Sequence, residues 1–120
     1  MPAEWERHEA TWLGWPHNET DWPGKLDTIR WVYGEMVRKI GAGELVRILV
    51  DTPRAEQLAR SYLTRAGARL DRVEFVLHPT NRGWTRDTGP VFVRRKRETA
   101  IVHFHFNAWA KYDDWRKDRR

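Results

Sequence analysis

Cysteine is absent from this chain of 120 residues. That absence excludes a disulfide framework, a thiolate zinc site and a thiol nucleophile within these residues, however they fold. Long hydrophobic runs are missing as well: the uninterrupted apolar stretches are a few residues long, far short of the ~20 that span a bilayer. The start, Met1-Pro-Ala-Glu-Trp-Glu-Arg-His8, lacks the basic-then-apolar order of a secretory leader. These features together predict a soluble, cytoplasmic protein. No internal repeat or low-complexity segment interrupts the chain. Acidic charge is the scarcer sign, with 17 Asp and Glu against 22 Lys and Arg, a net +5 with His neutral.

What is present suits one globular domain. Apolar residues make up 40% and charged residues 32%, and eight Trp are unusually many for this length. A domain of this size buries somewhat over ~60% of its unfolded surface, enough for a core without staples. Much of the basic excess sits late, in Arg94-Arg-Lys-Arg97 and Arg116-Lys-Asp-Arg-Arg120. Such runs can be phosphate-binding footprints, but the modest net charge and the interspersed Glu98 and Asp118 favour a solvated turn and tail over a nucleic-acid partner.

Periodicity predicts the elements. Ala10–Trp15 reads as a strand entering a long loop of turn formers, Pro16–Gly24. From Asp27, apolar Ile29, Val32, Tyr33, Met36, Val37 and Ile40 recur at helical spacing, with Gly34 as a weak point and Gly41 as a stop. Glu44–Val50 is β-branched and mostly apolar, the pattern of a strand covered on both faces. Thr52 and Pro53 open a second helix whose apolar face runs from Ala55 to Ala66, and Gly67 ends it. Arg72–Leu77 is a strand, His78–Thr88 a loop, and Pro90–Val93 with Thr99–Phe106 a hairpin around the basic turn. The order predicts an α/β fold with a mixed sheet and two main helices, its functional loops at strand ends. The aromatic segment Asn107–Trp115 is followed by no element that would receive it, so the chain reads as cut rather than finished.

The densest polar and aromatic cluster is Asn81-Arg-Gly-Trp-Thr-Arg-Asp-Thr-Gly-Pro90. Trp84, Arg86 and Asp87 place an indole face, a cation and a carboxylate on one turn, and Gly83 and Gly89 let the backbone bend around them. A planar guanidinium is well met by a carboxylate through two parallel hydrogen bonds while an indole covers the cation or its alkyl stem. The same residues equally allow a local Arg86–Asp87 pair with Trp84 packed in the core. His103-x-His105 has the form of a metal pair, yet alternation places both on one exposed strand face, opposite Val102, Phe104 and Phe106.

Trp84-Thr-Arg-Asp-Thr-Gly-Pro90, taken with Met1-Pro-Ala-Glu-Trp5, Thr11-Trp-Leu-Gly-Trp-Pro-His-Asn18 and Phe106-Asn-Ala-Trp109, resembles the agmatine deiminases of the bacterial peptidylarginine-deiminase-like family. The resemblance covers essentially all 120 residues. It implies a pentein fold, a five-fold pseudosymmetric ring of ββαβ modules around a central channel. It also implies hydrolysis of the agmatine guanidinium to N-carbamoylputrescine and ammonia, with no metal or other cofactor. Asp87 would grip the guanidinium and Trp84 would line the channel beside it. Asn107 and Trp109 would lie toward the substrate's other end, and Trp15 is similarly placed or else core. His17 is not expected to be the family's catalytic His, which lies further along a complete chain.

The departure is the missing thiolate. The family's Cys attacks the guanidinium carbon while a His and a second acid move protons, and none of these catalytic groups is expected within residues 1–120. The chain therefore reads as the N-terminal portion of a single deiminase domain, about the first module and part of the next, inactive alone. A related peptidylarginine or arginine deiminase, and a non-catalytic guanidinium or polyamine-binding module, are the alternatives. The expected partner is small-molecule agmatine, with no nucleic acid and no membrane. Self-association through an uncovered sheet edge is a further expectation, with Trp109 and Trp115 short of cover.

Overall fold

A computed structural model of the chain describes Ala3 and residues 5–118. The residues Met1, Pro2 and Glu4 of the first motif, and Arg119 and Arg120 of the basic end, lie outside the described residues. Three parallel strands form one sheet in the order β1-β2-β3: β1 (Ala10–Gly14), β2 (Leu45–Val50) and β3 (Val73–Leu77). Trp12, Arg47 and Glu74 stand side by side across it. Helices α1 (Leu26–Ile40) and α2 (Pro53–Arg65) make the two crossovers. Parallel neighbours need such crossovers, and the right-handed path places both on the same side of a sheet with this order.

Local chemistry explains the boundaries. Thr52 Oγ1 accepts from the Ala55 N–H at 3.1 Å, and Pro53 occupies the first helical turn, where its missing N–H costs nothing. Gly67 ends the connection at φ +73°, which a side chain would resist. Gly34, a weak helix former, is needed for packing: a Cβ there would lie 2.9 Å from the Ala66 Cβ where α1 crosses α2. Between this helical layer and the sheet lies the core, with Trp15, Val37, Val46, Ile48, Val50, Ala59 and Leu63 almost wholly buried.

The expectation that residues 44–50 are covered on both faces is corrected. Burial alternates along β2: Val46, Ile48 and Val50 face the helices, while Leu45, Arg47 and Leu49 are only partly covered. On that second face Arg47 lies 5.5 Å from the Trp12 ring and 2.7 Å from a Glu74 carboxylate oxygen. With both crossovers on one side, no helix remains for the other.

The loop after β3 contains one helical turn, α3 (Thr85–Thr88), inside the segment expected to be irregular. An antiparallel hairpin follows, β4 (Val91–Arg95) and β5 (Glu98–Val102), turning at Lys96 and Arg97 with Lys96 at φ +55°. Strand β5 stops four residues short of the expected Phe106. Its last pair is Val91 with Val102, and the next position on β4 is Pro90, which has no N–H to extend the ladder. The described residues thus form a mixed α/β fold of three helices and two sheets, and no helix among them is long and apolar enough to cross a membrane.

Candidate active-site loops

Both candidate motifs leave the sheet at the same end. The loop after β1 and the loop after β3 emerge from the C-terminal ends of parallel strands, where open α/β sheets place their ligands. Gly14 and Gly83 let the two backbones touch. A Cβ on Gly14 would lie 2.8 Å from both the Cα and the carbonyl oxygen of Gly83, and one on Gly83 would meet the Gly14 carbonyl at 3.0 Å. His17 ties the loops further, with Nδ1 3.0 Å from the Trp15 carbonyl and Nε2 3.1 Å from the Thr80 carbonyl. In a neutral ring only one of these nitrogens donates.

This close approach brings Trp84 beside Trp22, ring centroids 5.8 Å apart at 32°. Behind the pair is a cavity of about 10 Å³ bordered by Pro16, His17, Trp22, Tyr33 and Trp84, room for about one water. Trp84 is the residue before α3 and is 40% exposed. Asp87 lies three residues on, and its N–H donates to the Trp84 carbonyl at 3.2 Å, so the carboxylate and the indole belong to the same turn. Thr85 Oγ1 anchors that turn to β1 by donating to the Trp12 carbonyl at 3.5 Å. Asp87 is exposed and makes no ion pair among the described residues. Trp84 does not belong to the buried core cluster.

The other predicted residues distribute differently. Trp15 is 1% exposed, its ring 6.2 Å from Tyr33 and 6.1 Å from Tyr62, so among the described residues it sits in the core. Asn107 is exposed, and Trp109 is 49% exposed. Residues Ala108, Trp109 and Ala110 all have φ near +55°, where each non-glycine residue is disfavoured by roughly 1–2 kcal/mol. Burial of Ala108 and edge contacts of Trp109 with Phe106 at 5.2 Å and Tyr112 at 6.1 Å hold this turn. No hydrogen bond or ring contact among the described residues joins Asn107 or Trp109 directly to Trp84 or Asp87. His103 and His105 are exposed beyond the end of β5, not aligned on a strand face, and His105 packs edge-on against Trp115 at 5.9 Å.

A partly buried polar network, which no local sequence pattern marks, joins these loops. The Asn18 amide donates to the Asn81 carbonyl at 3.0 Å and to Asp114 at 3.3 Å. Asp118 Oδ1 accepts the Asn81 and Arg82 N–H groups at 2.5 and 3.3 Å, and Asn81 Oδ1 accepts the Lys117 N–H at 2.8 Å. Arg82 donates to Asp21 and Asp114. The Arg82 hydrogen bond holds the Asp114 carboxyl below the ordinary aspartate value against some burial. Burial pushes Asp118 above it, and the two backbone donors only partly compensate. The signal available in the sequence was the run of Asn and Asp in both loops, but nothing local pairs residues so far apart.

The described residues thus form an α/β scaffold that presents a carboxylate and an indole on one exposed turn at its strand ends. The chain belongs to the Porphyromonas-type peptidyl-arginine deiminase family, whose pattern matches residues 1–120. The agmatine deiminase of Ectopseudomonas mendocina is 32% identical over 126 aligned positions, covering 98% of this chain and 32% of that protein. A Legionella pneumophila relative is 36% identical over 114 positions, 91% of this chain and 30% of its own length. The C. jejuni agmatine deiminase carrying a C315S substitution, solved with substrate bound, superposes with a TM-score of 0.78 at 26% identity, over 96% of this chain and 32% of that one. The chain thus spans about a third of the length of these relatives.

Proposed function

We propose that this chain is the N-terminal segment of an agmatine deiminase, a guanidine-modifying hydrolase that converts agmatine to N-carbamoylputrescine and ammonia. The observation that carries this reading is the Trp84–Asp87 turn at the strand ends, with an exposed carboxylate and a half-exposed indole three residues apart. In this reading Asp87 pairs with the guanidinium through two parallel hydrogen bonds and Trp84 covers its face. Asn107 and Trp109 serve the substrate's far end, and Trp15 supports the loop from the core. In this reading the attacking thiolate comes from outside these 120 residues, which contain no Cys, and the proton-transferring His is likewise supplied from outside them.

The segment corresponds to about the first ββαβ module of a pentein ring and part of the next. The protein acts in the cytoplasm on a polyamine precursor. Agmatine is preferred over arginine because Phe106-Asn-Ala-Trp109 offers no cation for an α-carboxylate.

Two measurements test the proposal. The 120-residue chain by itself releases no ammonia from agmatine, and turnover that persists through repeated purification overturns the thiolate assignment. In a full-length deiminase carrying this segment, Asp87→Asn keeps the shape but leaves a buried cation uncompensated, so kcat/KM falls by about two to four orders of magnitude. Trp84→Ala loses packing and a cation–π contact and costs less. A near-normal Asp87→Asn enzyme removes Asp87 from the site.

A further inference from the structure

Arg82 is a cation buried where three segments meet. It is 6% exposed, and its guanidinium is occupied on two edges and one face. One amino group donates to Asp21, the other donates to Asp114 at 2.8 Å, and the Tyr112 ring centroid lies 4.0 Å away. Its acidic partners are 61 and 32 residues distant. Asp21 comes from the loop after β1, and Asp114 and Tyr112 come from the segment after the hairpin. The Asp21 side chain is only 7% exposed, so neither charge of that pair is replaceable by water. A planar fork with donors on separate edges and a face for an aromatic ring suits this junction; the point charge of lysine does not.

The sequence positions give the junction its consequence. Asp21 immediately precedes Trp22, and Arg82 stands two residues before Trp84. The ion pair Arg82–Asp21 and the ring pair Trp84–Trp22 are thus two rungs between the same two loops, and the Gly14–Gly83 backbone contact is a third. Tyr112 also touches Trp109, 6.1 Å away, so the same guanidinium backs the second aromatic loop.

We propose that Arg82 is a positioning residue for the Trp84–Asp87 turn. By holding Asp21 and Asp114 it fixes the loop after β1 and the segment 111–118 against the loop after β3, and so sets the Trp22–Trp84 geometry and the direction in which Trp84 and Asp87 face a ligand. Arg82 itself touches no ligand. The consequence for agmatine rests on the function proposed above, whereas the consequence for the tryptophan pair does not.

The test uses the whole chain with Arg82→Lys, Arg82→Met and Asp21→Asn, and two readouts. The first is the exciton signal that two indoles 5.8 Å apart give in circular dichroism, assigned by its loss in Trp22→Phe. The second is the affinity for agmatine, measured from ligand-induced stabilisation. Arg82→Lys keeps a cation but not the fork; it is expected to lose most of the exciton signal and to weaken agmatine roughly ten- to a hundredfold, with the helical signal retained. The Asp21→Asn/Arg82→Lys pair is expected to be no worse than the poorer single variant, since both act through one contact. If Arg82→Met fails to fold, Arg82→Lys and Asp21→Asn carry the result. An Arg82→Lys protein with a full exciton signal overturns the positioning role, and agmatine binding by the unsubstituted chain then leaves the functional reading standing. Loss of the signal in a chain that never binds agmatine supports the positioning role while removing the functional reading.

Discussion

In residues 10–77 the largest fully buried side chains are Trp15, Val37, Val46, Ile48, Val50 and Leu63, packed between a parallel sheet and two helices. In residues 78–118 the buried side chains are Arg82, Phe106, Ala108 and Asp118, and the hairpin leaves Phe92 at 49% and Ile101 at 60% exposure on one cross-strand pair. The first region is stabilised by apolar area, in proportion to what it hides from water. The second is stabilised by a few polar contacts made between segments, which give little net energy but one permitted geometry. The radius of gyration, 15.2 Å, exceeds the about 14 Å expected of a compact chain this long, as a well-packed layer with a loosely covered hairpin would produce. The lesson is a division of labour: apolar packing makes the platform, and directional contacts fix the loops that leave it.

The largest expected effect contrasts the two regions directly. Leu63→Ala empties a site with no exposed surface and should cost about 3 kcal/mol, within the 2–5 seen for buried Leu. Phe92→Ala, half-exposed on the hairpin, should cost well under about 1 kcal/mol, because little transfer energy is lost. Paired urea melts followed by helical circular dichroism measure both. Equal losses would break the comparison and show that the hairpin face is packed in solution, with self-association through Phe92 and Ile101 the first explanation to examine by sedimentation.

A smaller effect is expected where the two regions touch. In Gly14→Ala the new Cβ would sit 2.8 Å from Gly83 backbone atoms, closer than carbon atoms pack, and backbone cannot swing aside as a side chain can. A cost of roughly 1–3 kcal/mol follows from overpacking, accompanied by altered Trp22–Trp84 fluorescence as the loops separate. A melt unchanged from the parent would mean that the two loops are not in backbone contact.

The legibility of these regions in the sequence follows the same division. The α1 and α2 periodicities, the Thr52–Pro53 start and the Gly67 stop are local signals, readable because the interactions that enforce them span a few residues. Strand β2 showed its apolar residues but not which face lacked a helix, because Leu45 and Leu49 are apolar too and coverage is decided by crossover handedness. The apolar pattern overextends strand β5, since its limit comes from Pro90 on its partner. Trp84 and Asp87 are neighbours on one turn and legible together, whereas nothing local marks Arg82. Its partners Asp21 and Asp114 lie in other loops, and no periodicity encodes a contact across 61 residues. For Trp15 the sequence leaves site and core both open, because its motif allows either. Only the chain path past Tyr33 and Tyr62 reveals that it points into the core.

The smallest expected effect is in the pH dependence of the polar junction, where two aspartates oppose each other. Asp114, held low by its hydrogen bond from Arg82, contributes stability at neutral pH that disappears as pH falls below the ordinary aspartate value of 3.8 and through its own lower value. Asp118, pushed up by burial, has the reverse sign: the folded chain holds its proton more tightly, so its contribution is present in acid and is lost as pH rises above 3.8 through its raised value. Asp114→Asn should therefore lower the urea midpoint at pH 7 and flatten the fall toward pH 3. Asp118→Asn keeps an oxygen for the Asn81 and Arg82 N–H groups; it should raise the midpoint near neutrality relative to acid and leave a steeper acid limb. The exposed pairs Arg38–Glu35 and Arg69–Asp71 also hold their carboxyls low, but they are present in every variant and cancel in the difference. Midpoints measured from pH 3 to 7 for the parent and both variants decide the signs. Parallel curves would show that neither carboxylate feels the junction, and the second region would then owe its geometry to Tyr112, Phe106 and Ala108 instead of to the buried charge.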